Sequence, residues 1–167
     1  MPRSTRFLEA FMTAIRVLVA MCFLATATGT ASAQNAFPER TVVCFSGDGD
    51  FLMNGQEFAT AVQYELPIIV VIADNGTYGT IRMHQEREYP TRVVGTELKN
   101  PDFAAYAKAF GGFGVMVEKT ADFAAAFRAA EKSGKPAIIH LMVDTNASTP
   151  ATTLEAIRAK SLASAKP

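Results

Sequence analysis

Two short polar turns, Gly47-Asp48-Gly49 and Asp74-Asn75-Gly76, stand 24 residues apart, and each directly follows a run that reads as a buried strand. Thr41 to Phe45 is β-branched and aromatic, the composition of a strand covered on both faces. The glycines then turn the chain. Phe51, Phe58 and Val62, with Ala59 and Ala61, form an apolar helical face that ends near Tyr64. Pro67 stops that helix, and Ile68 to Ala73 reads as a second buried strand. The result is a βαβ unit with a polar cluster at the C-terminal end of each strand. In an open parallel sheet such ends border the ligand crevice, so two clusters distant in sequence are expected to meet.

Their chemistry suits a common purpose. Asp48 offers a carboxylate, Asn75 an amide oxygen and Thr77 a main-chain carbonyl, all hard oxygen donors of the kind that hold Mg²⁺ together with phosphates and water. Gly49 permits close approach of a phosphate, and the amides of Asp50 and Phe51 open the following helix at its positive end. A lone glycine-acid-glycine segment is also an ordinary turn, and that reading stays open on these residues alone. A calcium loop starting at Asp48 fits poorly, because Leu52, Met53 and Ala59 occupy positions that need an oxygen ligand, glycine and glutamate. Neither a lysine-containing phosphate loop nor a G-x-G-x-x-G turn is present.

The spacing of the two turns resembles the cofactor motif of thiamine diphosphate enzymes, and the segment from Gly47 to Val62 is similar to acetolactate synthase-like large subunits. The similarity continues through Leu66 to Ile72, Tyr78 to Arg82, Asn100 to Phe103 and Lys135 to His140, covering roughly residues 37 to 158. The resemblance implies a doubly wound parallel α/β sheet of the thiamine diphosphate-binding fold, with thiamine diphosphate and Mg²⁺ as cofactors. It implies that Asp48, Asn75 and the Thr77 carbonyl hold Mg²⁺, while Gly49, Asp50, Phe51, Tyr78 and Gly79 line the diphosphate beside Asn75 and Thr77. The implied chemistry is decarboxylation of a 2-oxo acid and carboligation to a second carbonyl compound. In the family a pyrimidine-binding domain of a partner subunit supplies the activating glutamate, so a homo-oligomer or pairing with such a domain is expected, and the chain by itself is expected to be incomplete as a catalyst. A non-catalytic module that binds a diphosphate or a partner is the alternative.

Three positions depart from the family pattern. Asp74 stands where the first of two asparagines is usual, which adds a negative charge beside a diphosphate. His84 stands where acetolactate synthases carry a tryptophan that helps choose their second substrate, so the resemblance leaves acetolactate specificity open. His84 is the residue expected to touch substrate, since an imidazole donates or accepts near neutral pH. Residues 17 to 36 lack the glycine-rich, methionine-containing turn and Ala-rich helix of the family. They read instead as a secretory signal or an aberrant leader: Arg3, Arg6 and Arg16 precede the apolar run Val17 to Ala25, and Ala31-Ser32-Ala33 follows. That run is too short to cross a membrane as a helix. The cytoplasm is the expected compartment, with export to the periplasm as the alternative if the signal is genuine.

Beyond the motif the chain alternates helix and strand. Asn100 is expected to cap a helix starting at Pro101 whose face is Phe103, Tyr106, Ala107 and Phe110, and a third strand spans about Phe113 to Val117. Thr120 is expected to cap a helix presenting Phe123 and Phe127, Gly134 to end it, and Ala137 to Val143 to form the fourth strand. The tail from Thr152 to Leu162 reads as helical. The polar stretch from Gly79 to Thr96, dense in arginine and glutamate, reads as an irregular, largely solvated loop, and His140 reads as a structural residue among apolar neighbours. The expected division is residues 1–36 as leader, 37–150 as one α/β domain and 151–167 as a helical tail. Sixteen basic and sixteen acidic residues leave no formal net charge, hence no reason to expect nucleic acid or an anionic membrane surface as partner. Cys22 and Cys44 read as apolar filler rather than a bridge.

Overall fold

The computed structural model describes residues 18–21, 40–149 and 151–164. Five parallel strands build one sheet: β1 (Leu18–Met21), β2 (Val42–Gly47), β3 (Ile69–Asp74), β4 (Phe113–Val117) and β5 (Ala137–Met142), in spatial order β1-β2-β3-β5-β4. Helices cover both faces, so the sheet is doubly wound. Side chains of even number, among them Val42, Cys44, Val70, Ile72 and Ile138, pack with Phe51, Phe58, Phe103 and Ala107. Odd-numbered Val43, Ile69, Val71, Ala137 and Ile139 meet Ala126, Phe127 and Ala130 on the other side. That division explains why β2 and β3 read as continuous apolar runs rather than as alternating ones.

The helices of the first face are α1 (Asp48–Asn54) and α2 (Phe58–Gln63), joined by a single 3-10 turn at Gly55–Glu57, and α4 (Phe103–Ala109). The apolar face anticipated up to Tyr64 is therefore one helical path interrupted once, with Phe51, Phe58 and Ala61 buried. The opposite face is covered by α5 (Phe123–Ser133), which ends at Gly134 in the left-handed conformation. A small antiparallel ribbon, β6 (Ala147–Thr149) with β7 (Thr152–Thr153), leads into the final helix α6 (Leu154–Ser164).

Several local expectations are corrected. Gly79 to Glu88 is a ten-residue helix, α3, not an irregular loop. Its polar sequence hides the helical period because the side chain it buries is a glutamate, Glu86, which is fully enclosed. That carboxylate accepts from Arg82 one turn earlier, from the Arg158 guanidinium of α6 through Nε at 2.7 Å and through Nη2, and from the Thr91 amide. Asn100 does not cap α4. Asp102 does, accepting from the amides of Ala104 and Ala105 at 2.8 and 3.0 Å, so the helix starts two residues after Pro101. Thr120 opens a 3-10 turn, Thr120–Asp122, without a side-chain cap.

Strand β1 lies inside the apolar run read as signal-like and pairs in parallel with β2, Leu18 opposite Val42 and Met21 opposite Phe45. The remainder of that leader, residues 1–17 and 22–36, lies outside the described residues, as does the end of the tail at 165–167. Among the described residues no helix is long and apolar enough to cross a membrane.

Candidate functional site

The C-terminal ends of the central strands finish level: Gly47 of β2 sits opposite Ala73 of β3, and Asp74 opposite Met142 of β5. Whatever follows each strand therefore emerges on one rim. Asp48 begins α1 there with its side chain almost wholly buried. Its Oδ1 accepts from the Gly49 amide at 2.9 Å, and its Oδ2 from the Gly76 amide at 3.0 Å across 28 residues of sequence. Asp48 is thus held one peptide unit from Asn75.

The second turn is shaped by its own side chains. Gly76 adopts φ +66°, a left-handed conformation that glycine takes without strain. Its amide is shared between Asp48 and Asp74 Oδ1, the latter at 2.9 Å. Asn75 Oδ1 accepts from the Thr77 amide at 3.1 Å, and the Asn75 carbonyl accepts from Thr145 Oγ1 at 2.7 Å. Thr77 is buried, its hydroxyl donating to the Thr96 carbonyl at 2.6 Å, and the Tyr78 amide donates to the same carbonyl at 2.9 Å.

The residues expected along a diphosphate are located as follows. The Tyr78 ring lies on Gly49, where an added Cβ would come within 2.5 Å of it, and a Cβ on Gly79 would come within 2.9 Å of Asn75 Nδ2. Both glycines are therefore places where backbone and side chain approach closely. Asp50 turns its carboxylate back to Ser46 Oγ at 2.6 Å. Phe51 points into the core, edge-on to Phe103 with centroids 5.3 Å apart. The side chains of these two residues are thus engaged within the fold rather than at the rim. His84 stands apart: it is exposed in the middle of α3, with Nδ1 against the Arg87 guanidinium.

Two residues that the sequence did not single out for the site complete its polar interior. Asn100 Nδ2 donates to both Asp48 Oδ2 and Asp74 Oδ1, each at 2.7 Å. His140 of β5, buried, bonds Asp74 Oδ2 through Nε2 at 2.8 Å and lies edge-on to Phe103. The negative charge that Asp74 adds is therefore spent on Asn100, Gly76 and His140 inside the fold. Burial pushes the Asp48 carboxyl above its ordinary range, against the downward pull of Asn100 and the Gly49 amide, and neighbouring Asp74 adds to the rise. Burial acts upward on Asp74 too, but the bonds from His140, Asn100 and the Gly76 amide outweigh it and leave this carboxyl below its usual value. No local sequence signal separated Asn100 from this capping role: a residue before proline takes the extended geometry that a helix cap also has.

The donor set fits a small hard cation. Among the described residues no group of three His, Cys, Asp or Glu is placed to hold a metal. An ion at this rim would be held by one carboxylate, an amide oxygen and a main-chain carbonyl, a hard-oxygen set of the kind usual for Mg²⁺. Beside this rim, Asn100 Oδ1 and His140 Nδ1 are buried without a hydrogen-bond partner among the described residues.

The family described as thiamine pyrophosphate enzyme, C-terminal TPP binding domain, matches residues 6–141. The chain is 38% identical over 115 residues to the thiamine pyrophosphate-containing protein YdaP of Bacillus subtilis (strain 168), covering 69% of this chain and 20% of that protein. It is 39% identical over 113 residues to the acetolactate synthase isozyme 2 large subunit of Escherichia coli (strain K12), covering 67% and 21%. Among solved structures, the thiamine diphosphate-dependent 4-hydroxybenzoylformate decarboxylase of Rhodococcus jostii RHA1 superposes with a TM-score of 0.66 at 28% identity, over 74% of this chain and 23% of that one. The chain thus spans about a fifth of the length of the curated relatives it matches.

Proposed function

This chain belongs to the thiamine pyrophosphate enzymes through their C-terminal TPP binding domain, and from that premise we propose that its rim anchors the diphosphate of thiamine diphosphate through Mg²⁺. The observation that carries the proposal is the bond from the Gly76 amide to Asp48 Oδ2, which joins the two strand ends at the donors the chemistry needs. Asp48, Asn75 Oδ1 and the Thr77 carbonyl hold the cation. The backbone at Gly49, Asp50, Phe51 and Gly79, with Tyr78 over Gly49, lines the diphosphate.

Bound there, the cofactor supplies an electron sink for decarboxylating a 2-oxo acid and for carboligation. The chain's own share is to bind, orient and neutralise. Asp48 opposes the charge of the cation, Gly49 leaves the room that the Tyr78 ring fills, and Gly79 lets Asn75 lie close to the backbone. His84 is the residue proposed for substrate contact; with Nδ1 occupied by Arg87, that contact falls to Nε2. The carboxylate that activates the aminopyrimidine is proposed to come from a partner domain, within a homo-oligomer or a paired chain, so turnover by this chain alone is not expected. Phe45 on β2, about half exposed, belongs to the surface such an assembly would cover.

The cytoplasm is the proposed compartment. Leu18–Met21 pairs along β2, and a cleaved leader could not supply that strand. Fusion of residues 1–36 to a reporter active only in the periplasm tests this; an active fusion would favour export. The central test is titration calorimetry of the chain with thiamine diphosphate, with and without Mg²⁺. Metal-dependent binding that Asp48→Ala abolishes is the expected result, whereas metal-independent binding, or none, defeats the reading. Turnover of pyruvate by the isolated chain would refute its incompleteness.

A further inference from the structure

We infer that Asn100 is a positioning residue that presents Asp48 to the cation, an inference that rests on the metal-anchoring reading of this rim. The side-chain amide carries two hydrogens, and each is spent on a different carboxylate: Asp48 Oδ2 and Asp74 Oδ1, both at 2.7 Å. Those residues are 52 and 26 positions away in sequence and follow different strands.

Both carboxylates are almost wholly buried, 3% and 5% exposed, so water does not take over this task readily. The Gly76 amide also bridges them, but its single N–H is divided between two acceptors, which leaves each carboxylate oxygen able to accept a second bond. Asn100 is a neutral group able to donate fully to both at once. The opposite amide orientation would turn its oxygen toward two carboxylate oxygens, so the surroundings determine which end is nitrogen.

Two features argue against a purely architectural role. Asn100 is not needed as a helix cap, because Asp102 already satisfies the first amides of α4. Moreover, its Oδ1 stays buried without a donor among the described residues, which a residue present only for stability would not require. With Asn100, Gly76 and Gly49 as donors, the Asp48 carboxylate is locked in one rotation. Groups that orient a metal ligand in this way typically govern affinity ten- to hundredfold.

The test uses the full chain and measures the Mg²⁺ concentration that half-saturates thiamine diphosphate binding, together with the melting temperature without either ligand. Asn100→Leu, which keeps the volume and removes both donors, should raise the half-saturating Mg²⁺ concentration about ten- to hundredfold. Asp102→Ala removes the cap of α4 but touches neither Asp48 nor Asp74, and should lower the melting temperature while leaving the Mg²⁺ requirement in place. Asn100→Ser, retaining one donor, should fall between the unaltered chain and Asn100→Leu, and decides the matter if the leucine variant does not fold. An Mg²⁺ requirement unchanged in the folded Asn100 variants, or shifted as much by Asp102→Ala, overturns the role of Asn100. Absence of metal-dependent binding in the unaltered chain instead defeats the reading of the site itself.

Discussion

Replacing Arg158 by methionine should destabilise the chain strongly at neutral pH and much less in acid. Glu86 is enclosed between α3 and α6, and the Arg158 guanidinium grips both its oxygens while Arg82 holds one. The Arg158 bond is the largest influence on this carboxyl, lowering it from an ordinary 4.5 to about 2 in spite of burial. A folded-state value below the unfolded one stabilises the fold fully above the unfolded value, and that contribution is lost as pH falls from about 4.5 toward 2. The depression corresponds to about 3 kcal/mol at pH 7. Because Arg82 remains in the variant and the Arg158 side chain is 34% exposed, the loss in Arg158→Met should be about 2 kcal/mol. Urea unfolding at pH 7 and pH 3 measures it, urea being preferable to guanidinium because it does not screen charge. The gap between variant and unaltered chain should shrink by about half at pH 3. An equal gap at both pH values, or a loss below about 0.5 kcal/mol at pH 7, would show that Glu86 is not held by Arg158 as described.

Further expectations concern single contacts. A Cβ on Gly114 would sit 2.0 Å from the Ala104 carbonyl, so Gly114→Ala must separate β4 from α4; a loss above about 2 kcal/mol in thermal or urea unfolding is expected, and an unchanged melting temperature refutes that close packing. Asp102→Ala should remove about 1 kcal/mol by uncapping α4, read in the same unfolding experiment; no loss would return the capping role to Asn100. The proposed substrate contact is tested by replacing the residue equivalent to His84 with alanine in a complete homologous enzyme and analysing products. An unaltered product spectrum would leave His84 as a solvated side chain of α3.

How legible the molecule was in its sequence depends on the kind of force involved. The strands β2, β3 and β5 were readable because each places apolar residues on both faces, a pattern that burial between helix layers requires, and β4 because Phe113, Val115 and Val117 alternate along it. The two turns were readable because glycine, aspartate and asparagine directly after an apolar run mark where a strand ends. Less legible was α3, where the enclosed residue is charged and its neutralising partner lies 72 positions away. A hydrophobic period cannot report a helix whose buried contact is an ion pair. The same holds for Asn100, whose local context suggests a cap and whose bonds run to two other segments.

Local sequence alone therefore determined the parallel α/β layering, the βαβ unit and the placement of Asp48 and Asn75 at strand ends, because periodicity and turn chemistry act over a few residues. Only the tertiary structure decided that Gly76 and Asn100 tie those ends together, that His140 absorbs the charge of Asp74, and that α6 is pinned to α3 through Glu86. Each of those depends on a polar group finding its partner after the chain has closed over it, and pairing across 26 to 72 residues leaves no trace in any short window of sequence.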